Sequence, residues 1–530
     1  MSNRRWIYAA VVSSLVLAGC SRQETAAPYN VEEVSLAQLS TDLAAGKTTS
    51  VAVTKAYIER IRTYDGPLHA VIAVAPDALD QAAASDQRRK DGKTMGPLDG
   101  VPVLLKDNID AMGMPTTAGS FALADNTPAE DAGIVKRLRG AGGIILGKLN
   151  MNQFAGLRTS KGLLGSTVGG MPHNPYDLAK TPGGSSSGSG IATAVSFAAA
   201  TLGSDTTGSI ISPSSLNGIV GMRPTIALMS RHGIVPISLT QDTSGPMART
   251  VTDAAMLLTV VAGSDPGDPA SKDADAMKAD YVKGLSTDAL KGKRLGVLRG
   301  TGGYNEKTQP VFDAALEVLK AQGAELVELP NDILEDMSQE DRIILTHEFK
   351  DDLGAYLAAT PANVKVRTIE DLIAFNKADP RENTHDQDLV EAAAATNGRK
   401  AEAYVKAFEY ARRRAGPDGL ERGLKEFNVS AIVALTTGPA ETIVPEGAAG
   451  GHTISERPKG ARPPSPSMNA AIAGYPDLTV PMGMVDGMPV GLSFLGAPWS
   501  EQTLLAYGFA YEQASHARVP PVAYKQAIAK

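Results

Sequence analysis

From residue 34 onward, segments with apolar residues at helical spacing alternate with short apolar runs bounded by Gly and Pro, which confines the chain to a layered α/β fold. "SLAQLSTDLAAGK" and "SVAVTKAYIERIRTYD" read as two helices, with Gly46 as the stop of the first and Ser50 as the N-cap of the second. "HAVIAVAP" then gives a strand, an Ala-rich helix follows, and "GPLDGVPVLLKDNI" is a strand punctuated by Gly and Pro. "DAGIVKRLRGAGGIILGKLN" repeats the pattern as a helix closing at Gly140 and a buried strand from Ile144. "LKGKRLGVLRG", a helix over 311–322 and "AELVELP" repeat it again, 339–414 reads as mainly helical, and "VSAIVALTTGPA" and "PDLTVPMGMVDGMPVGLSFLGAP" return to strands. No solenoid-type repeat occurs, and elements from both ends read as one sheet, so one large domain is expected.

A chain of 530 residues with 43% hydrophobic and 21% charged residues can bury a large core. Its net charge of −7 and the lack of a long Lys/Arg run exclude a nucleic-acid surface as the main interface and favour a small substrate. At the N-terminus, Arg4 and Arg5 precede an apolar run from Trp6 to Ala18 that is too short for a comfortable membrane span but suits a signal peptide. It ends in Leu17-Ala18-Gly19-Cys20, which resembles the lipobox of bacterial lipoproteins. That resemblance implies a signal peptide over 1–19, lipidation of Cys20, a tether over 20–30 and an exported protein held to the membrane through its N-terminal lipid only. Ser21 points to the outer membrane if the host is Gram-negative. Cys20 is the only cysteine, so a disulfide, a cysteine metal site and a cysteine nucleophile are excluded from the body of the chain.

Three kinds of catalytic centre compete. "TPGGSSSGSG", 181–190, reads by composition as a linker, yet it stands mid-chain before a small-residue apolar run, and Gly184 to Gly188 matches G-x-S-x-G with Ser186 as nucleophile. That motif needs a strand directly before it, and "MPHNPYDLAKTPG" does not read as one. The seven histidines form no H-E-x-x-H and no other close pair, and no phosphate-binding loop occurs, so neither metal nor cofactor is expected. What remains is Lys and Ser. Lys106 follows "VPVLL", so an apolar strand delivers an ammonium to the core, where burial lowers its pKa toward that of a proton acceptor. In "LGSDTTGSIISP", Ser209 stands among small residues in a turn whose backbone N–H groups can point at an oxyanion.

"GVPVLLKDN", "TPGGSSSGSG" and "GSDTTGSI", in that order, resemble the amidase signature family, and "GAGGIILGKLNMNQFA", "NGIVGMRPT", "DTSGPMARTVTDAA" and "AGYPDLTVPMG" extend the likeness. The resemblance implies a single large α/β domain over 31–525, a mixed twisted sheet covered by helices on both faces. It also implies a Ser-cis-Ser-Lys triad with Lys106 as base, Ser185 as the serine after a cis peptide and Ser209 as nucleophile. The backbone N–H groups of Thr206, Thr207, Gly208 and Ser209 would form the oxyanion hole. Two positions depart from the family: Thr207 stands where many members have Gly, and Ile211 where they have Arg, which alters polarity near the site and separates the chain from the tRNA-dependent amidotransferases. Within the family, "SQEDRIILTHEFKDDL", "DLIAFN" and "AIVALTTGPA" resemble the bacterial peptide amidases, which remove the C-terminal amide of peptides. A peptide amide is thus the expected substrate and no obligatory protein partner is expected. Other small, acyl or aryl amides, an esterase built on Ser186, and a non-catalytic binding lipoprotein are the alternatives.

Overall fold

The computed structural model describes residues 29–383, 385–445, 452–454 and 463–528. The expected signal peptide, Cys20 and nearly all of the expected tether lie outside the described residues. Among the described residues no helix is long and apolar enough to cross a membrane.

Thirteen strands form in chain order: β1 (Val71–Val74), β2 (Pro102–Lys106), β3 (Ile144–Leu149), β4 (Ala200–Asp205), β5 (Val220–Arg223), β6 (Thr243–Ala248), β7 (Arg294–Leu298), β8 (Glu325–Glu328), β9 (Ala431–Leu435), β10 (Ile443–Pro445), β11 (His452–Ile454), β12 (Asp477–Val485) and β13 (Met488–Leu495). Eleven of them make one mixed sheet in the order β1-β3-β2-β4-β6-β5-β12-β13-β9-β7-β8, and β10 and β11 pair separately. β2 lies parallel to β3 on one side and to β4 on the other. The apolar runs that mark β2, β3, β4 and β9 are buried along their whole length, as central strands covered on both faces require. The sheet is continuous through β5 against β12, which joins residues from the two ends of the chain into one single-domain α/β fold.

The helices follow the sequence pattern closely. The first two expected helices are Leu36–Ala44 and Ser50–Tyr64, and the helix closing at Gly140 is Gly133–Gly140. The second cap is displaced by one residue: Thr49, not Ser50, takes the N-cap position and accepts from Ala52 N–H. Ser50 instead turns inward, and its hydroxyl donates to Gly100 O at 2.7 Å, a buried acceptor that outcompetes the local cap. Residues 338–415 form the expected helical region, led by the helix Ser338–Ala359 and closed by Glu402–Ala415.

Candidate active site

Three pieces of chain converge at the C-terminal ends of the parallel strands β2 and β4. β2 carries Lys106 as its last residue, fully buried. Lys106 Nζ lies 2.7 Å from Ser185 Oγ, 2.9 Å from Ser204 Oγ and 3.1 Å from Ser204 O. Burial pulls its pKa down to about 7, against the opposing pull of the Asp205 and Asp242 carboxylates. The amine is therefore substantially neutral near pH 7, with two N–H donors and one lone pair. Ser204 O can only accept, and Ser204 Oγ takes the second N–H, so the lone pair is left for the Ser185 hydroxyl.

The 181–190 stretch supplies Ser185. No strand precedes it: β3 ends at Leu149 and β4 begins at Ala200, with only the helix Ser187–Ala194 after the glycines. This removes the nucleophile-elbow reading, and Ser186 is buried with its hydroxyl donating to Ser204 O at 2.9 Å. The linker reading fails too, because Ser185, Ser186, Ser187 and Ser189 are all buried. The Gly184–Ser185 peptide is cis. The peptide after it is held from both sides, Ser186 N–H donating to Ser209 O at 3.1 Å and Asn152 N–H to Ser185 O at 3.2 Å. The glycines serve close approach: a Cβ on Gly188 would stand 2.4 Å from Ala70 O and 2.6 Å from Asn150 O.

The turn after β4 carries Ser209. Asp205 organises it: Oδ1 accepts from Gly208 N–H at 2.8 Å and from Arg223 Nη1 at 2.6 Å, and Oδ2 accepts from Ile210 N–H at 2.6 Å. In a trans peptide the C=O and N–H point opposite ways, so anchoring one aims the other. Asp205 O accepts from Arg223 Nη1 at 2.9 Å, Thr206 O from Gln241 Nε2 at 3.4 Å, and Gly208 O from Ser212 N–H at 2.8 Å. The N–H groups of Thr206, Thr207 and Ser209 are thereby turned away from these anchors. Gly208 is a correction to the expected set of four donors, because its N–H is consumed by Asp205. Ser209 and Thr207 are partly exposed, and among the described residues Ser209 Oγ meets no hydrogen-bond partner.

Residues that sequence reasoning left without a task complete the site. Asn108 Nδ2 donates to Ser204 Oγ at 2.9 Å, and Thr206 Oγ1 donates to Asp242 Oδ1 at 2.6 Å. Burial raises the Asp242 carboxyl to about 6. Asn108, Ser204, Asp205, Arg223, Gln241 and Asp242 all sit inside or beside the quoted motifs, which was the available signal. The Ile211 side chain does not alter polarity at the turn: it is buried in an apolar cluster with Ala194, Ile210, Ile219 and Met247. A cavity of about 10 Å³ beside Asn108, Ser204, Thr206 and Asp242 is too small for an amide substrate, so the reacting carbonyl must meet Ser209 from its exposed side. No group of three or more potential metal ligands occurs among the described residues.

The sequence pattern of the Amidase family matches residues 52–505, and the chain belongs to that family; it is an amide-hydrolysing enzyme. The native peptide amidase from Stenotrophomonas maltophilia is 42% identical with a TM-score of 0.85, over 92% of this chain and 98% of that one. A peptide amidase structure with the competitive inhibitor chymostatin superposes with a TM-score of 0.86 at 42% identity, over 92% and 99% of the two chains. A glutamyl-tRNA(Gln) amidotransferase subunit from Chloroflexus aggregans is 34% identical over 91% of this chain and 97% of that protein.

Proposed function

We propose that the protein hydrolyses C-terminal amides of peptides through an acyl-enzyme on Ser209, releasing ammonia and leaving a free carboxylate. The observation that carries this reading is a buried lysine with a pKa near 7 placed 2.7 Å from the Ser185 hydroxyl. Neutral Lys106 takes the proton of Ser185, Ser185 takes that of Ser209, and Ser209 Oγ attacks the carbonyl carbon. The oxyanion formed is met by the N–H groups of Thr206, Thr207 and Ser209, donors of a kind worth about 3–4 kcal/mol each in the transition state. The relay run backwards delivers the proton to the departing nitrogen, the C–N bond breaks, and a water activated by the same path cleaves the ester. The choice of a peptide amide is supported by the 42% identity to peptide amidases across nearly the whole chain, against 34% to the tRNA-dependent amidotransferase.

Ser209→Ala is expected to abolish ammonia release from a peptide amide, and retained turnover would overturn the mechanism. A panel of peptide amides, free peptides, acyl amides and anilides tests the substrate: preference for an acyl amide or anilide would replace the peptide-amide reading while leaving the mechanism intact. We also propose that the chain is exported and anchored by a lipid on Cys20. Fatty-acid labelling that is lost in Cys20→Ala is the expected result, and no labelling of the wild-type chain would remove the anchor.

A further inference from the structure

We propose that Gln241 is a positioning residue for the oxyanion turn, aiming the Thr207 N–H at the reacting carbonyl, and that Asp341 on the helix Ser338–Ala359 fixes the orientation of the Gln241 amide. The inference rests on the reading of Ser209 as nucleophile.

The three carbonyls behind the turn are not anchored alike. Asp205 O is held by a guanidinium already paired with the Asp205 carboxylate, and Gly208 O by the N–H of Ser212 at the start of the helix Ile211–Leu216. Thr206 O depends on a neutral side chain, Gln241 Nε2, at 3.4 Å. This is the peptide whose opposite end is the Thr207 N–H. The same Nε2 donates to Asp341 Oδ1 at 3.0 Å. Two acceptors on one side of the amide require the NH2 there, so Asp341 excludes the flipped orientation, which would set an oxygen against Thr206 O. Gln241 and Asp341 are both buried, so water does not substitute readily for either partner.

Gln241 is itself held in place. Its N–H donates to Ser238 O at 3.0 Å and its carbonyl accepts from Arg223 Nη2 at 2.6 Å, which joins it to the arginine that anchors Asp205. Along the same helix, Glu348 accepts from Ser238 Oγ at 2.6 Å and from Thr240 Oγ1 at 2.9 Å, and Asp352 accepts from Leu239 N–H at 2.8 Å. The helix thus grips 238–241 with three carboxylates, and Asp341 is the one that reaches the turn through Gln241.

The test is steady-state kinetics on a peptide amide with Gln241→Met, Gln241→Glu, Asp341→Leu and Asp341→Asn, beside Ser209→Ala. Removal of an oxyanion donor costs about 100- to 1000-fold in kcat, and misaiming one should cost less. The expected result is a kcat loss of about 10- to 100-fold in Gln241→Met, with KM within about twofold and the acid limb of the pH profile unmoved because Lys106 is untouched. Gln241→Glu places an acceptor against two acceptors and should lose at least as much. Asp341→Leu should lose about 10-fold, and Asp341→Asn, which keeps an acceptor, should recover most of that. Inhibition by a peptide aldehyde, whose adduct carries the oxyanion, should weaken in step with kcat, while inhibition by the matching peptide acid should not. If Ser209→Ala is inactive but Gln241→Met keeps kcat within twofold, or loses only in KM, the positioning role is overturned and the nucleophile assignment stands. Activity retained by Ser209→Ala would overturn both.

Discussion

Two lysines stand on adjacent parallel strands, both fully buried, and the surroundings of each give them different chemistry. Lys106 ends β2 and Lys148 lies on β3, paired with Leu105 in the strand register. Burial lowers the pKa of both. Lys148 Nζ, however, lies 3.5 Å from Asp107 Oδ1 and donates to Ile109 O at 2.7 Å and to Thr116 Oγ1 at 2.9 Å. The Asp107 and Asp110 carboxylates favour its charged form, and its donors are spent tying the loop after β2 to β3. Lys106 touches two hydroxyls and one carbonyl and no carboxylate. Desolvation alone therefore makes a lysine easier to deprotonate, and the absence of a contacting anion lets it act as a base.

The largest expected effect separates the two at once. Lys106→Met should lower kcat by at least about 1000-fold, since the proposed relay loses its proton acceptor, while the purified variant stays folded by circular dichroism. Lys148→Met should do the reverse. It leaves Asp107 buried without its cation, and breaking such a pair costs about 3–5 kcal/mol, read as a lowered urea midpoint with the folded fraction still turning over. The double variant Lys148→Met/Asp107→Asn should regain part of that loss, and an additive result would show that the pair is not coupled.

Smaller effects sharpen the contrast. The free-enzyme profile of kcat/KM should fall about tenfold per pH unit below an acid limb near 7, because protonated Lys106 cannot accept. Stability carries the same signature with a defined sign: folded Lys106 releases its proton near pH 7, whereas an unfolded lysine keeps it until about 10.4. The folded state then binds fewer protons across that window, so stability rises with pH there, and Lys106→Met should flatten the slope in urea titrations. The smallest change is expected from Ser186→Ala. It loses one hydrogen bond to Ser204 O, and activity should drop less than tenfold, whereas a nucleophile at this position would be lost outright.

Much of the fold could be read locally, because helices and buried strands announce themselves by period and by Gly/Pro punctuation. The cap at Thr49 falls one residue before its expected place since two adjacent hydroxyls compete, and the deciding partner, Gly100 O, lies 50 residues away. Lys106, Ser185 and Ser209 each stand in a short motif, so their neighbourhood was legible before any coordinates. The commitment of Gly208 N–H to Asp205 was not, because it depends on an arginine arriving from another strand. Gln241 had no local mark at all: its partners Thr206 and Asp341 are 35 and 100 residues away, and a neutral amide in a polar stretch reads as solvated until the helix 338–359 is seen to cover it.

The join of β5 to β12 also sets a timetable for synthesis. Lys106, Ser185 and Ser209 leave the ribosome early, but the strand that pairs with β5 emerges roughly 250 residues after it, tens of seconds later at about 5–20 residues per second. Until then the edge of β5 is an open row of unpaired amides and carbonyls beside an incomplete centre, the kind of template on which nascent chains mispair. The last quarter of the sequence, remote from the chemistry, thus decides when a newborn chain becomes safe from aggregation.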